Sequence, residues 1–199
     1  MSIELEPLPA LVVIDLQLGI VEAMGTGAMQ VVERSAELAE AFRAHGLPVV
    51  LVNVAGAAPG RTERTKARTR PGARVLSPEA TRLVPELHRQ PSDITVTKRT
   101  LGAFLSTDLD ARLRAVGATQ IVLTGISTTS GVESTARSAF ELGYHVAFVV
   151  DAMTDASPEA HDASIRYQFP KLGEIGTTAE VLAALATRSA RQGSADGGR

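Results

Sequence analysis

Ile121-Val-Leu-Thr-Gly-Ile-Ser-Thr-Thr-Ser-Gly-Val-Glu-Ser-Thr-Ala-Arg137 decides how this chain is read. An apolar run stops at Gly125, and a cluster of small hydroxyl residues follows. Gly131 then opens a helical pattern that runs to Leu142 and closes at Gly143. This is a strand–turn–helix junction, the place where α/β proteins offer backbone N–H groups to a ligand. Gly131 has no Cβ, so a ligand can approach its backbone closely. The helix start adds partial positive charge, which suits an anion or an oxyanion. An ordinary strand-to-helix turn of small residues is the other reading of the same stretch.

The segments on either side extend the pattern. Ala10-Leu-Val-Val-Ile-Asp15-Leu-Gln17 is a continuous apolar run ending in a carboxylate, as expected of a strand buried on both faces. From Met29 to Ala44 apolar residues recur every three or four positions, which predicts a helix closed by Gly46 and Pro48. Val49 to Val54 is a second buried strand, so the first half contains a βαβ unit with a right-handed crossover. Pro78–Arg89 is expected to be helical, with Leu83 and Leu87 four apart. Asp93–Lys98 reads as a third strand and Ser106–Gly117 as a capped helix. Thr119–Thr124 and Tyr144–Asp151 read as the fourth and fifth strands. Ser157-Pro158 opens a further helix, Gly173–Thr178 is a short edge strand, and Ala179–Arg188 is a final helix. The expected fold is α/β, a three-layer α/β/α sandwich around a six-stranded, mostly parallel sheet. Residues 1–188 form one domain in this reading, and the Gly- and Ser-rich tail 189–199 is expected to be disordered.

Composition narrows the function classes. The chain has 199 residues, 44% hydrophobic, a formal net charge of −2 and no cysteine. Disulfides, thiolate metal sites and a cysteine nucleophile are therefore excluded. The balance of charge gives no general attraction to nucleic acid or to an anionic membrane. The acidic start lacks the apolar stretch of a secretory signal, and no run approaches the roughly 20 residues of a membrane span. The expectation is a cytoplasmic protein acting on a small molecule. The exception to the even charge is Ala55–Ser77, where Arg61, Arg64, Lys66, Arg68, Arg70 and Arg74 face a single acid, Glu63. It reads as a surface excursion, a basic lid over an anionic substrate, or an oligomer contact.

Ligands of parallel α/β sheets bind at the carboxyl ends of the strands. That rule gathers Asp15, Asn53, Lys98, the 125–131 turn and Asp151. An Asp15–Lys98 pair at about 4 Å and an effective dielectric of about 20 is worth roughly 4 kcal/mol of attraction. The pairing lowers the Asp15 pKa and an apolar cleft raises it, so the sequence leaves open whether Asp15 starts as acid or base.

Three motifs now resemble one family. Val-Ile-Asp15-Leu-Gln17, Lys98-Arg-Thr-Leu-Gly-Ala-Phe104 and Thr124-Gly-Ile-Ser-Thr-Thr-Ser-Gly131 stand in the order and spacing of the isochorismatase-like hydrolases, over about residues 8 to 185. That superfamily includes nicotinamidases, N-carbamoylsarcosine amidases and isochorismatases. The resemblance implies a six-stranded parallel sheet and a homo-oligomer, a dimer or tetramer. It also implies a catalytic triad of Asp15, Lys98 and the residue at 131. Amidase members carry cysteine there and isochorismatases carry glycine, so Gly131 implies proton-driven hydrolysis of a vinyl ether by Asp15. No metal or other cofactor is implied: where nicotinamidases place an Asp-x-His metal motif, this chain has Asn53-Val-Ala. The expected substrate contacts are Gln17, Asn53, Phe104, Ser127, Thr128 and Ser130, with backbone N–H groups near Ser127 and Gly131 holding polar atoms. A cis peptide is implied at Ile126–Ser127. The chain departs from isochorismatases proper at Ser127, where they are aromatic, and after the second strand, where a glutamine is missing. A binding protein that has lost the chemistry, or an amidase using Ser130, are the alternative readings.

Overall fold

A computed structural model describes residues 3–56, 60, 62–63 and 77–196, the last eight by their backbone alone. The basic residues of the 61–74 segment lie outside the described residues, as do residues 197–199. Six strands run β1 (Pro9–Ile14), β2 (Val49–Val54), β3 (Ile94–Lys98), β4 (Gln120–Ile126), β5 (His145–Thr154) and β6 (Glu174–Gly176). Their order is β3-β2-β1-β4-β5-β6, and every pairing is parallel. The order reverses between β1 and β4, which puts a crevice at the carboxyl ends of these two central strands.

The helices are α1 (Leu18–Met24), α2 (Thr26–Ala44), α3 (Leu109–Ala115), α4 (Glu133–Glu141), α5 (Pro158–Ala163) and α6 (Thr178–Asp196). Strand alternation divides the apolar residues between two cores. Leu11, Val13, Leu51, Val122 and Val149 pack with Val31, Leu38 and Phe42 of α2 and Val181 and Leu185 of α6. Val12, Ile14, Val52, Leu123 and Phe148 pack with Leu113 of α3, Val132, Ala136 of α4 and Phe169. The outcome is the three-layer sandwich expected from the sequence.

Three local expectations are corrected. Pro78–Arg89 is not one helix: it makes a turn, a short antiparallel bridge from Leu83 to Gln17, and a 3₁₀ turn at Pro85–Leu87. Pro85 forces Val84 into extended backbone (φ −64°, ψ 139°), which a continuous helix cannot contain. The tail is not wholly irregular, because α6 continues to Asp196. Once nucleated against the core, a helix propagates through backbone bonds and needs no further apolar residue. Asp151 is not at a strand end. β5 runs three residues further, to Thr154, and Asp151 accepts from the N–H and hydroxyl of Thr178.

Gly125 permits the central strands to approach. Its φ is +116°, and a Cβ there would lie 2.1 Å from the carbonyl oxygen of Ile14. Gly125→Ala is expected to destabilise the fold by at least about 2 kcal/mol in denaturant titration, because both the left-handed backbone and the contact oppose a side chain. Stability equal to that of the unsubstituted protein would contradict this packing.

Candidate active site

Lys98 and Asp15 meet at the carboxyl ends of β3 and β1. Lys98 Nζ lies 2.8 Å from Asp15 Oδ2, with side-chain exposures of 1% and 7%. Lys98 belongs by alternation to the face carrying Ile94 and Val96. Asp15 follows Leu11 and Val13, which point to the opposite face. Its φ of +53° interrupts the alternation and brings the carboxylate round to the lysine. Asp tolerates this left-handed backbone better than most residues. Lys98 Nζ also donates to the carbonyl oxygen of Leu101. Asp15 Oδ1 is buried and has no hydrogen-bond partner.

Burial pushes the Asp15 carboxyl up to about 6, and the charge and hydrogen bond of Lys98 oppose that rise without cancelling it. The folded protein therefore keeps, between the ordinary carboxylate pKa and about 6, a proton that the unfolded chain has lost. This contribution to stability is complete below the unfolded value and is lost as pH rises through about 6.

The third corner is Gly131. A Cβ built there would lie 3.0 Å from Lys98 Nζ, 3.2 Å from Asp15 Oδ2 and 2.8 Å from Ile14 Cγ2. The missing side chain is what admits the ion pair so close to the backbone. Gly131 sits in a π-helical turn, Thr128–Val132, that precedes α4. The peptide bond between Ile126 and Ser127 is cis, as the resemblance implied.

Most of the N–H groups of this turn are already engaged. Thr129 N–H donates to Asp155 Oδ2 at 2.9 Å. Ser130 N–H and Val132 N–H both donate to the carbonyl oxygen of Ser127, each at 3.1 Å. Asp155 Oδ2 also accepts from the hydroxyls of Ser127 and Thr129, each at 2.7 Å. Burial acts to raise the Asp155 pKa, but these bonds and the Ser157 N–H outweigh it and hold the carboxyl below its usual range. One N–H of the turn and two of its hydroxyls are thus held by a carboxylate of the chain itself. Sequence reading passed over Asp155, which stands 26 residues after Thr129. Its only signal is an Asp just before the Ser157-Pro158 helix start.

A cleft of about 290 Å³ opens on these groups, lined by Asp15, Lys98, Ser127, Ser130 and Gly131 with Ile20, Met24, Val54, Leu101 and Ile126 among its walls. A larger concavity of about 580 Å³ lies at the amino ends of β4, β5 and β6, beside Gln120, His145 and Glu174, away from the ion pair. Of the expected substrate contacts, the structure brings Ser127 and Ser130 to the cleft and takes four others elsewhere. Gln17 is fully buried, donates to the carbonyls of Val54 and Ala80, and accepts from Val54 N–H. Asn53 donates to the carbonyl of Thr81 and accepts from the Thr97 hydroxyl, lining a separate concavity. It is one residue out of phase with Val54, the β2 residue paired with Lys98. Phe104 is core, 5.8 Å from the ring of Tyr144. Thr128 is buried against His161 Nδ1 at 2.8 Å. Among the described residues no group of three or more His, Asp or Glu side chains converges as a metal-ligand set. No described helix is long and apolar enough to cross a membrane.

Comparison with known proteins agrees with this geometry. The isochorismatase domain model matches residues 9–180, and the chain belongs to the isochorismatase family. The uncharacterized isochorismatase family protein YwoC of Bacillus subtilis is 45% identical over 175 residues, covering 87% of this chain and 92% of that protein. The ureidoacrylate amidohydrolase RutB of Methylobacterium radiotolerans is 32% identical over 194 residues, covering 88% and 74% of the two chains. The structure of an isochorismatase family protein from Burkholderia thailandensis superposes with a TM-score of 0.83 at 43% identity, over 94% of this chain and 100% of that one.

Asp155→Ala is expected to lower stability by roughly 1–3 kcal/mol near neutral pH, since it leaves Thr129 N–H and two hydroxyls unpaired. Because the folded pKa of Asp155 is lowered, the difference should shrink as pH falls through it. Denaturation of both proteins at neutral and acid pH checks this. A gap that does not change with pH would contradict the charge-assisted clamp.

Proposed function

We propose that the protein hydrolyses a small enol ether by acid catalysis, with Asp15 as the acid, Lys98 as its positioning partner and no covalent intermediate. The observation that carries this reading is a buried carboxyl, raised to about 6, beside a glycine where a nucleophile would stand. Protonated Asp15 transfers its proton to the β-carbon of the enol ether, and the C=C electron pair forms the new C–H bond. The neighbouring carbon becomes an oxocarbenium ion. Asp15, now ionised, stands beside that positive charge. Water adds to the cationic carbon and returns a proton to Asp15. The resulting hemiketal collapses to an alcohol and a carbonyl compound.

The electrostatics of the turn support this direction of charge. Acyl transfer develops an oxyanion and calls for free N–H donors. Here three of the turn's N–H groups are engaged, and Asp155 places a carboxylate behind them. A second reading rests on Ser130, whose hydroxyl lines the cleft, and on the similarity to an amidohydrolase. It lacks a base hydrogen-bonded to that hydroxyl among the described residues, which an unactivated serine needs.

A panel of compact enol ethers, assayed by release of the carbonyl product, tests the proposal. Asp15→Ala should reduce turnover by about 10²–10⁴-fold while circular dichroism stays unchanged. In the unsubstituted protein kcat/KM should fall as pH rises through about 6, because the acid form is the active one. Turnover retained in Asp15→Ala, or a rate that climbs through this range, would overturn the proposal. Amide hydrolysis lost on Ser130→Ala would establish the second reading instead.

A further inference from the structure

One buried hydroxyl joins the two loops that close on the ion pair. Thr135 stands in the first turn of α4 and is fully buried. Its Oγ1 donates to the carbonyl oxygen of Gly131 at 2.6 Å and accepts from the N–H of Ala103 at 3.1 Å. The first bond reaches back one helical turn, a common use of a helical threonine. The second crosses to the loop that leaves β3 after Lys98. That loop lies close on α4: a Cβ on Gly102 would stand 3.0 Å from the carbonyl oxygen of Ser134. Within the loop, Thr100 Oγ1 donates to the Gly102 carbonyl at 3.0 Å, and Leu101 offers its carbonyl to Lys98 Nζ. A single side chain therefore touches both the Gly131 corner and the strip of backbone that gives Lys98 its second acceptor. The adjoining positions Val132, Ala136 and Ala139 are all core, where a valine would have the same shape as Thr135. Packing alone does not call for the hydroxyl.

We propose that Thr135 is a positioning residue for the ion pair: its hydroxyl locks the Ala103 backbone to the Gly131 turn, and so holds the Leu101 carbonyl against Lys98 and Lys98 against Asp15. The inference rests on reading this pair as the active one and adds the residue that fixes its geometry. Without the hydroxyl, Ala103 N–H becomes a buried donor with no partner, and the loop must move toward water to satisfy it. Leu101, two residues away and exposed, moves with it. Lys98 then loses its neutral acceptor and turns its ammonium more fully to Asp15. The same movement lets water reach Asp15 Oδ1, the oxygen that lacks a partner. Both changes favour the carboxylate over the acid. Among the described residues that line the cleft, the charged ones are Asp15 and Lys98, so the titration of Asp15 reports on this geometry.

Thr135→Val keeps the shape and removes the hydroxyl, whereas Thr135→Ser keeps the hydroxyl and removes the methyl. Both cost stability, so stability does not separate a positioning role from a structural one. The carbon-13 titration midpoint of the Asp15 carboxyl does. In Thr135→Val it is expected to fall by at least about half a pH unit below that of the unsubstituted protein, and in Thr135→Ser to stay in place. The Ala103 amide, followed by NMR hydrogen exchange, is expected to exchange at least about tenfold faster in Thr135→Val and at an unchanged rate in Thr135→Ser. An unmoved midpoint in Thr135→Val, or an equal fall in both variants, would overturn the proposal. Should Thr135→Val not fold, the unsubstituted chain carries the test. Its Ala103 amide is expected to exchange as slowly as the amides of β4, and exchange within about tenfold of an unfolded chain's rate would overturn the proposal. Neither measurement needs turnover. A lowered midpoint in Thr135→Val, with no enol ether hydrolysed by the unsubstituted protein, refutes the hydrolase reading alone. Hydrolysis with the midpoint unmoved refutes the role of Thr135 alone.

Discussion

The contact between Lys98 Nζ and Asp15 Oδ2, 2.8 Å long and almost wholly buried, is the interaction on which the site depends. Buried ion pairs are poor stabilisers, because desolvation consumes most of the Coulomb gain unless every remaining polar atom is satisfied. This pair is incomplete: Lys98 has a second acceptor in Leu101, but Asp15 Oδ1 has none. A stabilising pair would use both oxygens. The free oxygen and the pKa raised to about 6 describe instead a carboxyl held ready to exchange a proton. The fold supplies the geometry through the ends of two strands with β2 between them, and through the single left-handed residue that turns Asp15 toward its partner.

Gly131 and Asp155 set what that proton can do. Gly131 lets the pair lie 3.0 and 3.2 Å from where a Cβ would stand and brings no side-chain nucleophile to that corner, which is why the proposed chemistry is proton transfer. Asp155 engages Thr129 N–H and the hydroxyls of Ser127 and Thr129, and so fixes the entry of the turn that carries Gly131. The cleft sets apolar walls from Ile20, Met24 and Leu101 against the polar groups of Asp15, Lys98 and Ser130.

The strands and the sheet were legible because burial on both faces writes continuous apolar runs, as in Leu11–Ile14 and Val49–Val52. The strand-end rule likewise gathered Asp15, Lys98 and Gly131 into one place. It failed where side-chain direction mattered. Asn53 and Val54 both end β2, but a period of two sends Asn53 to the other face. Gln17 and Thr128 are engaged by partners 37 and 33 residues away, which no local pattern reveals. Phe104 follows a loop whose path depends on α4, and Asp155 meets the turn only because β5 extends past Asp151. Pro85 is the residue in the sequence that argues against a continuous Pro78–Arg89 helix, because it forces extended backbone at Val84.

Each part of this account returns to the protonation of one carboxyl. Carbon-13 NMR titration of the Asp15 side chain, assigned by comparison with Asp15→Asn, measures it without a substrate. The account predicts a midpoint near about 6 in the folded protein. A midpoint at or below the ordinary value of about 4 would show that Lys98 outweighs burial, and would contradict the acid role assigned to Asp15.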